Sequence, residues 1–353
     1  MRTDPVKNNV VTNGWRGRKV LVTGGAGFIG SNLVLRLLRL GAQVRVMDNL
    51  ERGRREYLGE TLQHIDFRQA DLRSAEVCRR ACQGMEVVIH LASKVGGIRY
   101  YMDFAGEVFR DNTLIDLNVW SAAMAAEVPS YFYASSAHVY PGDLQQTPEA
   151  PLITESQAYP ANPELSYGWA KLQGEKLIQY DVAQGCPTRA AIGRIIGAYG
   201  PNQDVEPATG SAIPVFCRRA YEYPAHGPFT ALGTGAETRS YHFVTDTVEA
   251  ILRSVHKLQE LPCVGPFNLG AEERITIADL VREVIAASGK DIEVVWDQSH
   301  PTLIWGQAVD CSLAAALLDG WRPQVSLQHG LAICYEHISA RLERSAKAAA
   351  LLA

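Results

Sequence analysis

Tyr167 and Lys171 lie four residues apart in a segment whose pattern predicts a helix, so the two side chains share one helix face. A tyrosine is a poor base at its free pKa of about 10. A lysine cation beside it favours the phenolate, which can then take a proton from a hydroxyl group. Ser136, at the end of the preceding predicted strand, could hydrogen-bond the same hydroxyl. Such pairs are also common as surface contacts, so the meaning of this one depends on the surrounding elements.

A glycine-rich turn follows the first predicted strand, Lys19–Thr23. Gly24 and Gly27 let the backbone turn and approach a pyrophosphate at the N-terminus of the next helix, and Gly30 lets that helix pack closely. An empty strand-to-helix turn could show the same glycines. The second predicted strand ends at Asp48, where an acidic residue meets the adenosine ribose of a dinucleotide. An acid there binds a 2′-hydroxyl and repels a 2′-phosphate, which favours NAD over NADP.

Two features near this predicted cofactor site have alternative interpretations. The basic cluster at residues 52–55 could hold a 2′-phosphate, although Asp48 opposes that interpretation. Asp71, at the end of a third predicted strand, could accept a hydrogen bond from the adenine amino group or cap a helix. The residues predicted to contact NAD are Gly24, Gly27, Phe28, Ile29, Gly30, Asp48, Asn49, Asp71, Leu72, Leu91, Ala92, Ser93, Tyr167 and Lys171.

Strands and helices alternate through the N-terminal half of the chain. After the first two strands, further strands are predicted at 64–69, 87–91 and 131–136, with a long helix at 104–127. This alternation predicts an α/β fold, a Rossmann doubly wound parallel sheet with a smaller C-terminal α/β substrate lobe. We expect a flexible extension at 1–17 and an NAD-binding domain with the catalytic helix at 18–200. The substrate lobe is expected at 201–345, with some segments returning to the NAD-binding domain.

Composition restricts the class of protein. The chain has 353 residues, a formal net charge of -4 and a hydrophobic content of 47%, which suits a globular enzyme and gives no electrostatic reason to expect a nucleic-acid partner. No apolar run is long enough to span a membrane and no signal-peptide core begins the chain, so we expect a cytoplasmic protein. The seven cysteines are scattered without metal-ligand spacing, which predicts reduced thiols and no metal.

The motifs occur in the order seen in one enzyme family. The segments that carry the resemblance are 23–30, 90–93, 135–141, 167–171, 199–201 and 238–241. From about residue 18 to residue 340 the chain resembles the extended short-chain dehydrogenase/reductases, the family of NAD-dependent nucleotide-sugar epimerases, dehydratases and reductases. Within that family it is similar to GDP-mannose 3,5-epimerases and GDP-L-fucose synthases, which share its Gly96-Gly97 loop and the proline after Tyr140.

The resemblance implies roles for several side chains. Tyr167, Lys171 and Ser136 match the catalytic trio, and Arg239 matches an arginine that binds the substrate diphosphate. His138 stands where both similar groups carry a catalytic cysteine, and it could act as a base or only hydrogen-bond a substrate hydroxyl. The residues predicted to contact substrate are Gly96, Ser135, Ser136, His138, Ser211, Arg239 and Gln307.

Three substrate positions depart from those two groups. Ser211 falls where a second acid/base is expected, Gly197 replaces an asparagine, and Gln307 or Trp305 replaces a second arginine. Inversion beside a ketone needs two groups that exchange protons on opposite faces, and a serine is a poor partner for that exchange. The departures therefore favour chemistry that needs only NAD and the catalytic trio, which is 4-epimerisation through a transient 4-ketone.

The leading hypothesis is an NAD-dependent epimerase that acts at C4 of a GDP- or other nucleotide-linked sugar. The alternatives are a 3,5-epimerase that uses His138, an NAD(P)H-dependent reductase of 4-keto sugars, and an NAD-bound sensor without catalysis. The resemblance further implies a homodimer in which the helix near 105–127 and the Tyr167 helix pack into a four-helix bundle.

Overall fold

A computed structural model of the chain describes residues 14–96, 98–299, 302 and 304–352. The first half of the chain forms β1 (Lys19–Thr23), α1 (Phe28–Arg39), β2 (Gln43–Asp48), β3 (Asp66–Gln69), α2 (Ala75–Cys82), β4 (Val87–His90), α3 (Ile98–Asp103), α4 (Ala105–Ala125), β5 (Ser130–Ser136), α5 (Ser166–Ala183) and β6 (Arg189–Ile195). The second half forms β7 (Ala198–Tyr199), α6 (Ala212–Glu222), β8 (Phe229–Leu232), β9 (Thr238–Arg239), β10 (His242–Phe243), α7 (Val244–Lys257), β11 (Cys263–Leu269), β12 (Ile275–Thr276), α8 (Ile277–Ser288), β13 (Val294–Asp297), β14 (Gly306–Gln307), α9 (Ser312–Leu317) and α10 (Leu327–Leu352).

The central element is a parallel sheet of seven strands in the order β11-β6-β5-β4-β1-β2-β3. The winding of the chain reverses between β1 and β4, which pair directly so that Thr23 lies beside His90. In open sheets of this kind a ligand binds outside the carboxyl ends of the strands at the reversal point. The fold predicted from the alternation of strands and helices is therefore confirmed, and it locates a candidate site.

The strands are apolar because helices cover both faces of the sheet. Val22, Ile89 and Phe132 are fully buried on the face covered by α1 and α7. The other face is covered by α2, α4 and α5, where Trp120 and Tyr131 are buried. The side chains at the carboxyl ends of the strands are consequently held on a rigid platform.

A second apolar core lies in the C-terminal lobe. It is built by α6, α8 and α10, with Phe216, Val281 and Leu331 among its buried residues. Two segments of the region 201–345 return to the sheet: α7 covers one face, and β11 forms the edge beside β6. The cleft between this lobe and the carboxyl ends of the sheet strands is where the candidate site lies.

The structure differs from the sequence expectations at the N-terminus and around α4. Residues 1–13 of the expected extension lie outside the described residues, but Trp15 is 1% exposed and packs with α1 in the sheet core. A single tryptophan in a segment without periodicity gives no local sign of burial. The helix expected at 104–127 is α4, Ala105–Ala125, with the short α3 directly before it. Among the described helices none is long and apolar enough to cross a membrane.

Candidate active site

A cavity of about 500 Å³ lies at the carboxyl ends of β1, β2, β4 and β5, facing the C-terminal lobe. Most of the residues predicted to contact cofactor or substrate line it: Gly24, Gly27, Phe28, Ile29, Gly30, Asp48, Asn49, Asp71, Leu72, Leu91, Ala92, Ser93, Gly96, Ser135, Ser136, Tyr167 and Ser211. Four predicted residues, Lys171, His138, Arg239 and Gln307, are not part of the cavity wall. Gly97 of the predicted Gly96-Gly97 loop lies outside the described residues.

The glycine turn leaves room for a diphosphate. Gly24 has a φ of +68°, and a Cβ atom there would lie 2.8 Å from the amide nitrogen of Ala92. A Cβ atom on Gly30 would lie 2.2 Å from the carbonyl oxygen of Gly24, so α1 can approach the turn only with glycine at this position. No side chain caps the first turn of α1 at Gly27. The amide groups at this helix end therefore face the cavity and are suited to bind an anion.

Asp48 is fixed at the end of β2 by two backbone amides. Its Oδ2 accepts a hydrogen bond from the amide of Ala26 at 3.0 Å, and its Oδ1 accepts one from Leu50 at 2.8 Å. Burial raises the pKa of this carboxyl group, and the two amides partly oppose the rise. Each oxygen retains a lone pair for a ribose hydroxyl. A phosphate group at the same place would meet a buried carboxylate, which is unfavourable.

Two of the nearby arginines, Arg52 and Arg55, have other partners. Arg52 pairs with Asp204 at 2.8 Å across the cavity, from the loop after β2 to the segment that precedes α6. The guanidinium of Arg55 lies over the ring of Phe67 at 4.8 Å. These contacts weaken the alternative in which the cluster at 52–55 holds a 2′-phosphate.

Asp71 lines the cavity after β3 and does not cap the following helix. Ser74 is the N-cap residue of α2, and its side chain accepts from the amide of Val77. Asp71 instead pairs with Arg73 at 2.6 Å, and this arginine holds the pKa of the carboxyl group below its usual value. The helix-cap role considered for Asp71 is therefore wrong, and its contact with the adenine stays a prediction.

Tyr167 lies in the first turn of α5 and is 8% exposed. Its ring stacks on that of Tyr101 with centroids 5.0 Å apart and planes inclined by 8°. Burial raises the pKa of the phenol, the hydroxyls of Ser93 and Ser136 lower it by hydrogen bonding, and the charge of Asp116 raises it further. Ser136 and Tyr167 both line the cavity and lie within hydrogen-bonding reach of each other.

Lys171 is nearly fully buried, and its Nζ lies 5.9 Å from the centroid of the Tyr167 ring. The same Nζ lies 3.3 Å from Oδ1 of Asp116 in α4. The lysine cation therefore pairs with a buried carboxylate as well as lying beside the phenol. It lies behind the cavity wall, between the phenol and a buried carboxylate.

His138 follows β5 and lies against the ring of Tyr167, with centroids 5.5 Å apart. Its Nδ1 is 3.0 Å from the Oγ of Ser136. Burial of the imidazole, together with the positive charge of Arg239, lowers the pKa of His138 to about 4. A group with that pKa is neutral at pH 7 and is a weak proton acceptor. Of its two predicted roles, the structure favours the hydrogen-bonding one.

The other predicted substrate residues are already engaged. Ser135 donates to the buried Glu175, and Ser211 occupies the N-cap position of α6, where its Oγ accepts from Gln203 at 3.2 Å. Arg239 donates to the backbone oxygen of Ile304 at 2.8 Å, and its second donor nitrogen binds the carbonyl oxygen of Thr238 at 2.8 Å.

Two of the departures noted in the sequence have a structural reason. Gln307 donates to the side chain of Gln145 at 2.8 Å, outside the cavity wall. Gly197 does line the cavity, with a φ of +67°, and a Cβ atom there would lie 2.0 Å from the carbonyl oxygen of Ser240. The asparagine expected at this position would therefore not fit this backbone.

Three residues close to the end of the cavity that holds Tyr167 were not predicted from the sequence. Asp116 follows Asn112 by one helical turn, so both face the sheet, but a lone aspartate in a helix usually faces solvent. His90 is fully buried and contacts Asp116, and Tyr101 stacks on Tyr167 from a neighbouring helix. Each contact joins positions far apart in the sequence. Among the described residues no group of three potential ligands could hold a metal ion.

The uncapped helix end, the fixed Asp48 carboxylate and the buried tyrosine on one cavity wall define a dinucleotide-dependent enzyme of the doubly wound α/β class, and the donor set fits NAD. Residues 20–270 match the model of the NAD dependent epimerase/dehydratase family. The chain belongs to this family.

Individual relatives are similar over almost the whole chain. The GDP-mannose 3,5-epimerase of Arabidopsis thaliana is 31% identical over 92% of this chain and 83% of its own length. GDP-L-fucose synthase 1 of the same plant is 30% identical over 90% of this chain and 92% of its own length. The resemblance to these two groups is thus confirmed. The UDP-glucose 4-epimerase of Thermus thermophilus, solved in complex with NAD, is 28% identical with a TM-score of 0.76, covering 91% of this chain and 98% of that chain.

Proposed function

We propose that this enzyme inverts C4 of a nucleotide-linked sugar through a transient 4-ketone. The observation that carries the proposal is the contrast between two parts of the site. Tyr167 and Ser136 face the cavity together, whereas Ser211, at the position of a second acid/base, is hydrogen-bonded to Gln203 at the end of α6. His138 has a pKa of about 4 because burial and a nearby arginine disfavour its cation. Proton exchange at carbons beside the ketone would need two competent groups, and these two residues are poorly suited to it.

The cofactor residues of this proposal are those of the cavity wall. The amide groups at the start of α1 would bind the diphosphate, Asp48 would bind the adenosine ribose, and Asp71 would face the adenine. NAD, when bound, accepts a hydride from the sugar carbon and later returns it. Because the hydride is returned, the cofactor is not consumed.

The residues at the end of the cavity move the proton. Tyr167 takes the proton of the C4 hydroxyl as the hydride leaves the same carbon, and Ser136 holds the oxygen through its hydroxyl. The 4-keto sugar then turns within the cleft and presents its other face. Tyr167 returns the proton when hydride adds to that face. The substrate and product are isomers, so protons and electrons balance without another reactant.

The second candidate function is 3,5-epimerisation, which is favoured by the similarity to the GDP-mannose 3,5-epimerase. It would use His138 to remove a proton beside the ketone. A reductase of 4-keto sugars is a third possibility, since the chain is similar to a GDP-L-fucose synthase. The acidic Asp48 disfavours NADPH as its reductant, because a 2′-phosphate would lie against a buried carboxylate.

One experiment separates these functions. The NAD-loaded protein is incubated with GDP- and UDP-linked hexoses in deuterated water, and the products are analysed by nuclear magnetic resonance and mass spectrometry. We expect a product inverted at C4 without solvent deuterium, because the hydride never exchanges with water. Deuterium at C3 or C5 would contradict pure 4-epimerisation. A parallel incubation with NADPH and a 4-keto nucleotide sugar tests the reductase, which would oxidise NADPH stoichiometrically. Tyr167→Phe, assayed in parallel, shows which product depends on the proposed site.

The proposal includes a homodimer and a cytoplasmic location. Large apolar side chains are exposed on α4 and α5, which pack side by side: Phe109, Leu114 and Leu117 on α4, and Trp169 and Tyr180 on α5. Two such helix pairs from two copies would form a four-helix bundle and remove this surface from water. The cytoplasmic location is supported by the seven cysteines, all of which are free.

A further inference from the structure

A buried carboxylate lies behind the proposed catalytic pair. Asp116 is 3% exposed, and its oxygens contact the Nζ of Lys171 at 3.3 and 3.5 Å. The hydroxyl of Tyr133 donates to Oδ2 at 2.5 Å, and Nε2 of His90 lies 3.0 Å from Oδ1. Three groups from α5, β5 and β4 therefore converge on one side chain of α4.

These contacts fix the protonation of the cluster. Burial alone would raise the pKa of Asp116, but Lys171, His90 and Tyr133 outweigh it, so the pKa is lowered and the group is a carboxylate. Because a carboxylate only accepts, Nε2 of His90 donates to it. Nδ1 then accepts from the hydroxyl of Thr23 at 2.7 Å. Burial lowers the pKa of His90, which leaves the imidazole neutral and the carboxylate paired in charge with Lys171 alone.

This pairing changes what Lys171 does at the phenol. A lone lysine cation would stabilise the Tyr167 phenolate, but a carboxylate beside the cation offsets much of its field. The titratable or charged groups that face Tyr167 are Tyr101 of α3, His138 after β5, Lys171 of α5 and Asp116 of α4, with Arg239 of β9 behind His138. Of these, only Asp116 places a negative charge near the phenol at neutral pH.

We infer that Asp116 is a positioning residue that holds Lys171 in place and, by offsetting its charge, sets the pH at which Tyr167 becomes a phenolate. The inference depends on the proposed acid/base role of Tyr167 for its meaning in the reaction. It assigns to His90 and Tyr133 the task of keeping Asp116 ionised. The phenol is thereby kept protonated until a further positive charge or a bound substrate favours the phenolate.

The test is a titration of Tyr167 in the NAD-saturated protein, followed by the ultraviolet difference absorption of tyrosinate. Subtracting the spectrum of the matching Tyr167→Phe protein isolates this phenol from the other tyrosines. Asp116→Asn keeps the shape and removes the charge, and Asp116→Ser is a smaller neutral variant should the amide impair folding. We expect the midpoint to fall by about one pH unit in both, because a negative charge near the phenol is lost. The acidic limb of kcat/KM should move in the same direction.

Asp111→Asn is the matched control. Asp111 is a second buried carboxylate on α4, but it pairs with Arg73 at 2.8 Å and does not contact Lys171. It should leave the Tyr167 midpoint in place. An unchanged or higher midpoint in both neutral Asp116 variants would overturn the inference. If Tyr167→Phe were fully active, the proposed function would fail, while the titration would still decide the role of Asp116.

Discussion

The Oγ of Ser136 lies 3.0 Å from Nδ1 of His138, so His138 is hydrogen-bonded to a proposed catalytic hydroxyl. By resemblance, His138 stands where GDP-mannose 3,5-epimerases and GDP-L-fucose synthases carry a cysteine. Because the pKa of His138 is about 4, its charge stays constant above about pH 5. We expect His138→Gln to lower kcat/KM by about tenfold or less, the cost of one hydrogen bond, without moving the acidic limb of the pH profile. A loss beyond about 10²-fold would instead assign His138 a role in proton transfer.

Replacement of Tyr167 tests the acid/base assignment. Tyr167→Phe should reduce kcat/KM by at least about 10²-fold, because the phenol that carries the proton is removed. The dissociation constant for NAD, measured by calorimetry, should change little. Tyr101→Phe removes a hydroxyl from the ring stacked on Tyr167 and serves as the control. Activity of Tyr167→Phe within a few-fold of the unmodified enzyme would reject the assignment.

Replacement of Asp48 tests the choice of cofactor. Asp48→Ala should weaken NAD binding and relax the exclusion of NADP, because the carboxylate that binds the ribose and repels a 2′-phosphate is lost. Titrations with both cofactors measure the ratio of their affinities. Asp71→Ala, at the proposed adenine end, should weaken both cofactors alike. The interpretation of Asp48 would be contradicted if the ratio were the same in the two variants.

A buried ion pair between Arg194 and Glu175 lies beneath Ser135. Arg194 and Glu175 are each at most 1% exposed and form two parallel bonds of 2.9 and 2.7 Å. Glu175→Ala should lower the free energy of unfolding by about 3–5 kcal/mol, because it leaves a guanidinium buried without its partner. Denaturant unfolding measures the change. Glu76→Ala, which breaks an exposed pair with Arg79, should cost under about 1 kcal/mol.

The proposed dimer is tested by placing a charge on the exposed side of α4, which would lie in the dimer interface. Leu117 is 42% exposed on α4, and Leu117→Lys would bury a cation in the proposed four-helix bundle. Analytical ultracentrifugation should show a dimer for the unmodified protein and a shift toward monomer for the variant. Leu232→Lys changes another exposed leucine, in β8, and should leave the mass unchanged. A monomeric unmodified protein would contradict the proposal.

Local patterns predicted the parts of this fold that depend on local sequence. The glycine spacing from Gly24 to Gly30 and the strand ending at Asp48 were sufficient for β1, α1 and β2, because turn geometry and burial act over a few residues. The Tyr167–Lys171 spacing likewise placed two side chains on one helix face. Contacts between distant positions could not be read in this way.

The pairing of Lys171 with Asp116 joins residues 55 positions apart, and nothing near either residue indicates it. Arg239 shows the same limit: the family resemblance implied an arginine that binds the substrate diphosphate, yet here it donates to backbone oxygens, including that of Ile304. In both cases the long-range packing decides which charges remain available, and residue type alone does not.

Thr23 connects the two ends of the site. Its oxygen accepts the amides of Leu91 and Ala92 at 3.1 and 3.2 Å, and its hydroxyl contacts His90, which in turn holds Asp116. The strand that leads into the glycine turn therefore also supports the catalytic helix. A chimaeric enzyme that acquires its cofactor turn from a relative would need a hydroxyl at this position and a matching carboxylate on α4. The glycine turn and the catalytic helix are thus joined through Thr23, His90 and Asp116.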